Sequence, residues 1–521
     1  MADFPGAPFD EAFKQLAIYD AWYSNDLDSL PASEGAPTHT YKGREYRGGV
    51  RGALSKSING APVGENRSEL TMTTAGDLAQ LSADLLFAES PTVTLPGSQD
   101  TATEKANPER VNAQKRLDLI MSSDEAHAEL LRSGEYAAAH GGAYLAVVWD
   151  PALHDSVWFR TYRADCAIPS FRAGRLASVT LWTEYVKTDD TYRLLEVHAP
   201  GLITYSLWKG GASDLGVQMP VNAIADTAHY MSLVPAVDAE SLPMAETMDI
   251  VVATGVPWLA VEYYPNMLPN PMWDKKGALA NLGRSDFFGQ ESKFERINII
   301  WGSLCRDFDN GMGRLTVPES YLRLNGHGKG AEFDMGRQVY SPVGGLVDDG
   351  KGGQITISQF NIRVAEHLDA IEALKREIAF SAGYSPSHFG VKGTGTQKTA
   401  TEVEADFTDS ERTRDKKALY VRPALSKLAR TALAIDSIVF PGKGGQVIDE
   451  LPTITFAEVS QVDPEKRART IQLLDAARAI SVIEKVRMRR PDMDQAEADA
   501  EADLIRAENN MAPEADPTVV T

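Results

Sequence analysis

Between residues 285 and 433 the chain carries a pattern that few folds accommodate. Phe294, Ile297, Trp301, Leu304 and Phe308 recur at intervals of three, four, three and four residues, the period at which one face of an α-helix returns. Ser285 can cap that helix and Gly311 and Gly313 end it, since a serine oxygen accepts from free amides at a helix start and glycine tolerates the reversed backbone at its end. A second stripe, Ile371, Leu374 and Ile378, predicts a helix over Gln359–Phe380. The Gly-rich stretch between them, Leu315 to Ile357, has short alternating runs and predicts a compact, hairpin-like insert. Gly383 breaks the second helix, and a loop holding Pro386, Gly390, Gly393 and Gly395 leads to a further helical pattern from Thr399 to about Leu433. Pro423 sits inside that pattern, where it removes a backbone hydrogen bond and predicts a kink.

The flanking sequence is mixed, so the fold class expected is α+β. Helices are predicted over Glu11–Tyr23, over Thr73–Phe87 from Leu78, Leu81, Leu85 and Leu86, and over Asp124–Ala139 from Leu130, Leu131 and Tyr136. Pro91 stops the second of these, and Thr92–Leu95 reads as a short strand. From Tyr144 to about Tyr264 the aromatic and β-branched density is high, which predicts a β-rich middle closed by the Pro-punctuated stretch Pro265–Pro271. Past Pro441 come a strand-like Leu451–Phe456, a helical region Pro464–Val486, and a tail from Pro491 with nine acids against Arg506. The most apolar stretch, Ile250–Val261, is broken by Gly255 and Pro257 and falls short of the roughly 20 residues a membrane helix needs.

Charge is distributed unevenly. The chain has 52 Lys and Arg against 73 Asp and Glu, net −21, which argues against a protein that coats nucleic acid by neutralising phosphates. From Asp286 to Ala434 there are 20 of each sign, so the whole excess lies elsewhere, and Ala382–Ala434 alone holds nine basic against six acidic residues. Two cysteines, Cys166 and Cys305, make no disulfide framework and no Cys-rich zinc site.

Enzymatic signatures are weak. The loop from Gly390 through Gly393 and Gly395 to Lys398-Thr399 invites a phosphate-loop reading, but Gln397 stands where such a loop needs glycine, and a helix precedes it where a strand is needed. Nine histidines are scattered with no His-Glu-x-x-His, and His367 beside Glu366 reads as a solvated helix face. No Gly-x-Ser-x-Gly elbow appears. Arg412, Arg414, Lys416, Lys417, Arg422, Lys427 and Arg430 spread around their helix, as expected for surface or intersubunit pairing as much as for DNA contact. The expectation is no catalytic set, no metal and no cofactor. The rivals are a phosphate-binding enzyme using the Gly393–Thr399 loop, and a monomeric scaffold or adhesion module.

The order of these parts, from about Arg67 to Glu508, resembles the portal (head–tail connector) proteins of long-tailed, siphophage-type bacteriophages. The most specific stretch runs from Gln359 to Leu433: the helix Ile371-Glu-Ala-Leu-Lys-Arg-Glu-Ile-Ala-Phe380, the loop Gly383-Tyr-Ser-Pro-Ser-His-Phe-Gly390, and the Thr-Ala-Thr-Glu-Val start of the long helix. Leu78–Leu95, the Gly-Gly-Ala-Tyr-Leu run at Gly141–Leu145 and Ser481–Asp494 also match, while Gln397-Lys398 replaces the family's Ser-Gly.

The resemblance implies a ring of twelve copies with residues 1–285 as the wing, 286–313 the first stem helix, 314–357 the clip and 358–380 the second stem helix. It further implies a tunnel loop over 381–398, a kinked wing helix with return strands over 399–459, and a crown with acidic tail over 460–521. Phe294, Ile297, Trp301, Leu304, Phe308, Ile371, Leu374 and Ile378 would pack the stem, and Pro423 would kink the wing helix. Lys392, Lys398, His388, Gly390, Gly393 and Gly395 would form the tunnel loop beside double-stranded DNA. Tyr321, Arg323, Lys329, Arg337 and Tyr340 would sit in the clip, where the terminase large subunit and the head–tail adaptor dock. Major capsid and scaffold proteins would be further partners, with assembly in the host cytoplasm and residence at the portal vertex of the virion. The charge pattern suits a conduit: DNA must slide through it, and each phosphate contact adds affinity that slows sliding.

Overall fold

The computed structural model describes residues 4–30, 71–98, 107–187, 190–211, 214–233, 248–310, 314–316, 323–324, 331–332, 356–358, 362–390, 400–456, 464–490 and 495–508. The class is mixed α+β. The chain divides into two units, Met1–Phe456 and Ala457–Thr521.

The first unit opens with α1 (Phe9–Tyr23) and α2 (Thr74–Phe87), the strand β1 (Thr92–Thr94), then α3 (Pro108–Met121) and α4 (Asp124–His140). Ser123 caps α4 by accepting from the Ala126 amide, and Gly141 ends it at a φ of 87°. The backbones at Gly141 and Gly283 approach so closely that a Cβ on Gly283 would lie 1.9 Å from the Gly141 carbonyl oxygen. Only glycine fits there. α3 was not expected from the sequence, although its start carries the standard signals: Asn107 accepts from the Glu109 amide and Pro108 takes the first turn.

The β-rich middle forms two sheets. In the smaller, β2 (Gly142–Val148) lies between β10 (Val261–Pro265) and β3 (Trp158–Arg163), and nearly all of β2 is buried, as its continuous apolar run requires. The larger runs β4 (Ala167–Arg172), β5 (Arg175–Lys187), β6 (Asp190–Ala199), β7 (Leu202–Gly210) and β8 (Val217–Met219), with β9 (Asp249–Ala253) also on β7, all antiparallel. Pro169 sits on the edge strand β4, where no ladder bond is lost.

Two helices, α5 (Glu291–Asn310) and α6 (Val364–Ala382), flank the insert, whose described strands are β11 (Arg314–Thr316), β12 (Arg323–Leu324), β13 (Ala331–Glu332) and β14 (Thr356–Ser358). The helix α7 spans Ala400–Val439, and β15 (Thr453–Thr455) pairs back on β1. The largest core buries one side of α7 from Ala418 to Ile435 against α3, β2 and the large sheet. From Thr431 to Asp436 every residue is buried. Ala432 to Ile435 are apolar on every side of the helix, a pattern that is stable only inside a core.

The second unit holds α8 (Pro464–Ala476), α9 (Val482–Arg489) and α10 (Gln495–Glu508). The single helical region expected over Pro464–Val486 is therefore two helices. Arg478, at a φ of 55°, breaks the first, and Ser481 with Glu484 forms a capping box for the second.

Candidate functional site

The two stem stripes do meet. α5 and α6 run antiparallel, with Lys293 Nζ 3.3 Å from Glu377 at one end and His367 Nε2 3.2 Å from Asp307 at the other. His367 thus pairs with a carboxylate rather than lying on a solvated face. Phe294, Ile297 and Leu304 are buried on α5, and Ile371 and Ile378 on α6. Trp301 and Leu374 are only half-buried, and Phe308 is 50% exposed, so the stripe is covered at its start and uncovered toward its end. The covered end docks on the α1–α2 region, where Phe294 meets Trp22 and Phe287 at ring separations of 5.6 and 5.7 Å. α5 begins six residues after Ser285. Ser285 instead accepts from the Phe287 amide and donates to the Ala139 carbonyl, pinning the approach to the helix onto the end of α4.

At the far ends of the pair, β11 and β14 are antiparallel partners, Arg314 opposite Ser358, which closes the insert at its neck. Arg323 lies on β12, opposite Glu332 of β13. Tyr321, Lys329, Arg337 and Tyr340 lie outside the described residues.

The described start of the loop after α6, residues 383–390, lies against α7. Gly383 ends α6 at a φ of 88°. Thr413 Oγ1 donates to its carbonyl at 2.6 Å, Ser385 donates its amide to Ser410 Oγ at 2.8 Å, and His388 Nδ1 lies 2.8 Å from the same hydroxyl. Tyr384, Ser385 and Phe389 are buried. His388 is therefore fastened to α7, and burial pulls its imidazole below the usual range, against a standing positive charge. Gly390, at a φ of 73°, is exposed with open space around it. Lys392, Gly393, Gly395 and Lys398 lie outside the described residues. α7 continues as one helix through Pro423, which is exposed.

Beneath the loop lies a buried ion pair. Lys417 Nζ on α7 donates to Asp286 Oδ2 at 2.6 Å, to Ser82 Oγ of α2 at 2.6 Å and to the Tyr384 hydroxyl at 2.7 Å. Tyr384 in turn donates to Asp286 Oδ2 at 2.9 Å, and Asn266 Nδ2 to Asp286 Oδ1 at 2.8 Å. Burial lowers the lysine's proton affinity, and Asp286 opposes that shift; burial and the same carboxylate push the tyrosine up. With three acceptors at the ammonium, the buried charge is compensated. Sequence reasoning placed Lys417 with the surface cations. A signal existed: Thr413, Lys417 and Val421 are spaced by four in a stripe that Ala418 and Leu425 continue, and all five are buried. Of the other cations, Arg412 and Lys416 are exposed, Arg414 and Arg422 lie over the Phe456 ring, Lys427 pairs with Glu262 at 3.2 Å, and Arg430 lies 4.0 Å over Trp258.

One further cluster has metal-ligand composition. Asp20, His140 and Asp165 each bring an atom within 4.8 Å of the others. Arg163 hydrogen-bonds both carboxylates, so its guanidinium holds the position between them that a cation would take. The His140 hydrogen bond, with Arg163 beside it, keeps Asp20 below the usual carboxylate range despite burial. This network fastens α1 to the small sheet.

No protein family and no curated protein matches the chain. Among solved structures it is similar to a chain from the neck of an empty GTA particle computed with C6 symmetry, at 13% identity over 87% of this chain and 96% of that one, with a TM-score of 0.41. A chain from the virion of a native gene transfer agent (GTA) particle shows 12% identity over 90% and 95%, TM-score 0.36. A chain from the neck of a native GTA particle computed with C12 symmetry shows 13% identity over 83% and 91%, TM-score 0.39.

Proposed function

We propose that this chain is the subunit of a portal-type head–tail connector, a ring of twelve copies at one capsid vertex through which double-stranded DNA is packaged and ejected. The observation that carries the reading is the antiparallel pair α5–α6, with a strand-closed insert at its far end and a glycine-rich loop leaving its near end toward α7. That arrangement offers a rod to line a channel, an insert at its far end for docking the terminase large subunit and the adaptor, and a connecting loop at its near end. Phe308 and Phe380, 50% and 70% exposed, supply apolar surface for a neighbouring copy to cover. The subunit performs no catalysis in this reading; ATP hydrolysis belongs to the motor.

The test is the assembly itself. Twelve chains of 56.7 kDa give a closed head-to-tail ring of about 680 kDa, which light scattering measures and negative-stain imaging shows as a disc with a central hole. Monomer or dimer alone at high concentration, with scaffold protein present, overturns the reading. Micromolar ATP affinity by calorimetry, lost in Lys398→Ala, would instead favour the phosphate-binding enzyme.

A further inference from the structure

The second unit separates its charges by helix. Residues 464–490, spanning α8 and α9, hold eight Lys and Arg against three acids, while α10 holds five acids against Arg506 alone. Only part of this charge is used inside the unit. Lys485 of α9 pairs with Asp475 of α8, Arg489 of α9 lies 3.2 Å from Glu501 of α10, and Arg506 lies 2.9 Å from Asp503. Arg469 of α8 and Glu508 of α10 are exposed, and neither forms an ion pair among the described residues. The same two helices each leave a leucine uncovered: Leu473 is 64% and Leu504 59% exposed.

Helical spacing puts each unpaired charge beside one of these leucines. Arg469 and Leu473 stand at i and i+4 on α8, and Leu504 and Glu508 at i and i+4 on α10. Each charge is therefore about 6 Å along the helix axis from its leucine. The charge precedes the leucine on α8 and follows it on α10. With the leucines in contact, antiparallel helices bring Arg469 opposite Glu508, whereas parallel helices leave the two charges about 12 Å apart. Within one copy α8 and α10 each pack on α9, and both leucines stay exposed. The first unit carries 59 acids against 43 Lys and Arg, so it offers α10 no surplus of opposite charge.

We propose that the second unit docks on the second unit of a neighbouring copy, α8 of one lying antiparallel on α10 of the next, with Leu473 on the partner's Leu504 and Arg469 on the partner's Glu508. The two faces differ, so the contact is head-to-tail and each copy keeps one face for a further neighbour. It covers apolar surface that the small core of the unit leaves open. That successive contacts close into a ring rests on the connector reading; the contact itself does not.

The test uses the full-length protein. Leu473→Cys with Leu504→Cys is oxidised mildly and run on a non-reducing gel, with wild type showing any bond made by Cys166 or Cys305. The expected result is a ladder running past the dimer, absent from wild type and from either single variant, that collapses to the 56.7 kDa chain on reduction. In that background Arg469→Glu is expected to slow cross-linking at least about threefold at low salt, and adding Glu508→Arg to restore it within about twofold. The second change places a cation at a helix C-terminus, where the helix dipole favours it. A monomer of altered mobility overturns the proposal, since α8 and α10 would then meet within one copy. A ladder that stops at the dimer overturns it in favour of two-fold pairing. Failure of the charge swap to restore cross-linking overturns it too, and assigns Arg469 to another partner such as duplex DNA or the first unit. Light scattering on the wild type keeps the two readings apart: rings without a ladder defeat this interface alone, a ladder without rings defeats the connector reading alone, and monomers without a ladder defeat both.

Discussion

At the residue scale, two buried ion pairs anchor α7, and each joins positions far apart in the chain. Lys417 meets Asp286 across 131 residues, and Arg116 of α3 meets Asp436 across 320. The second pair is bidentate, both contacts at 2.8 Å, and Asp436 also accepts from the Val157 amide. Buried pairs of this kind add little net stability over apolar residues of the same shape, but removing one partner strands a charge. Arg116→Ala is expected to cost about 3–5 kcal/mol, and Arg116→Met with Asp436→Leu much less than that. Urea unfolding followed by tryptophan fluorescence measures it cleanly, since all eight tryptophans lie before residue 302 and report the first unit alone. Equal losses in the single and double variants would show that the geometry of the pair, not the stranded charge, matters.

At the scale of elements, the helix pair and the loop root depend on how each helix ends. α6 stops because Gly383 adopts a φ of 88°, and a Cβ there would come within 2.6 Å of Thr413 Oγ1. The left-handed backbone costs an L-residue roughly 1–2 kcal/mol, before the steric conflict is counted. Gly383→Ala is therefore expected to lower stability by at least about 1 kcal/mol and to break the Thr413 bond to the residue 383 carbonyl. The readout is a lower urea midpoint with faster exchange confined to residues 384–390. An unchanged midpoint would mean that α6 can end elsewhere without penalty. The contrast between the ends of α5 follows the same logic: Phe294 and Ile297 have α1 and α2 to pack against, whereas Phe308 is left half exposed.

At the scale of the whole molecule, the two units differ in how much core they own. The first buries several dozen apolar side chains in contiguous clusters. The second buries Val486, Ala498 and Ala502 among its described side chains, while Leu473 and Leu504 are 64% and 59% exposed. Full burial of a large apolar side chain stabilises by about 1.5–3 kcal/mol, and one valine with two alanines falls well short of what an independent fold needs. Amides of residues 464–508 are expected to exchange on the order of a hundredfold faster than those of 424–436 in the isolated chain. Protection at 464–508 equal to that of α7 would show that the second unit is held by more than its own core.

Much of the architecture was legible from periodicity and caps. α1, α2, α4, the β-rich middle and both stem stripes lie within a few residues of where apolar spacing and Gly383 put them. Those are local properties, set by the 3.6-residue period and by which residues tolerate a reversed backbone. α3 escaped because Arg116 interrupts its apolar face, and an arginine belongs on such a face only when Asp436 is opposite. Lys417 escaped for a related reason. It looks like a surface cation in a string of letters, and it is buried by segments that the chain brings back from elsewhere. Local sequence determined the helices, their ends and the α+β class. Which polar groups lie inside, and hence where the loop is fastened, was decided only by tertiary structure, because the cost of burying a charge depends on partners that no spacing rule can place.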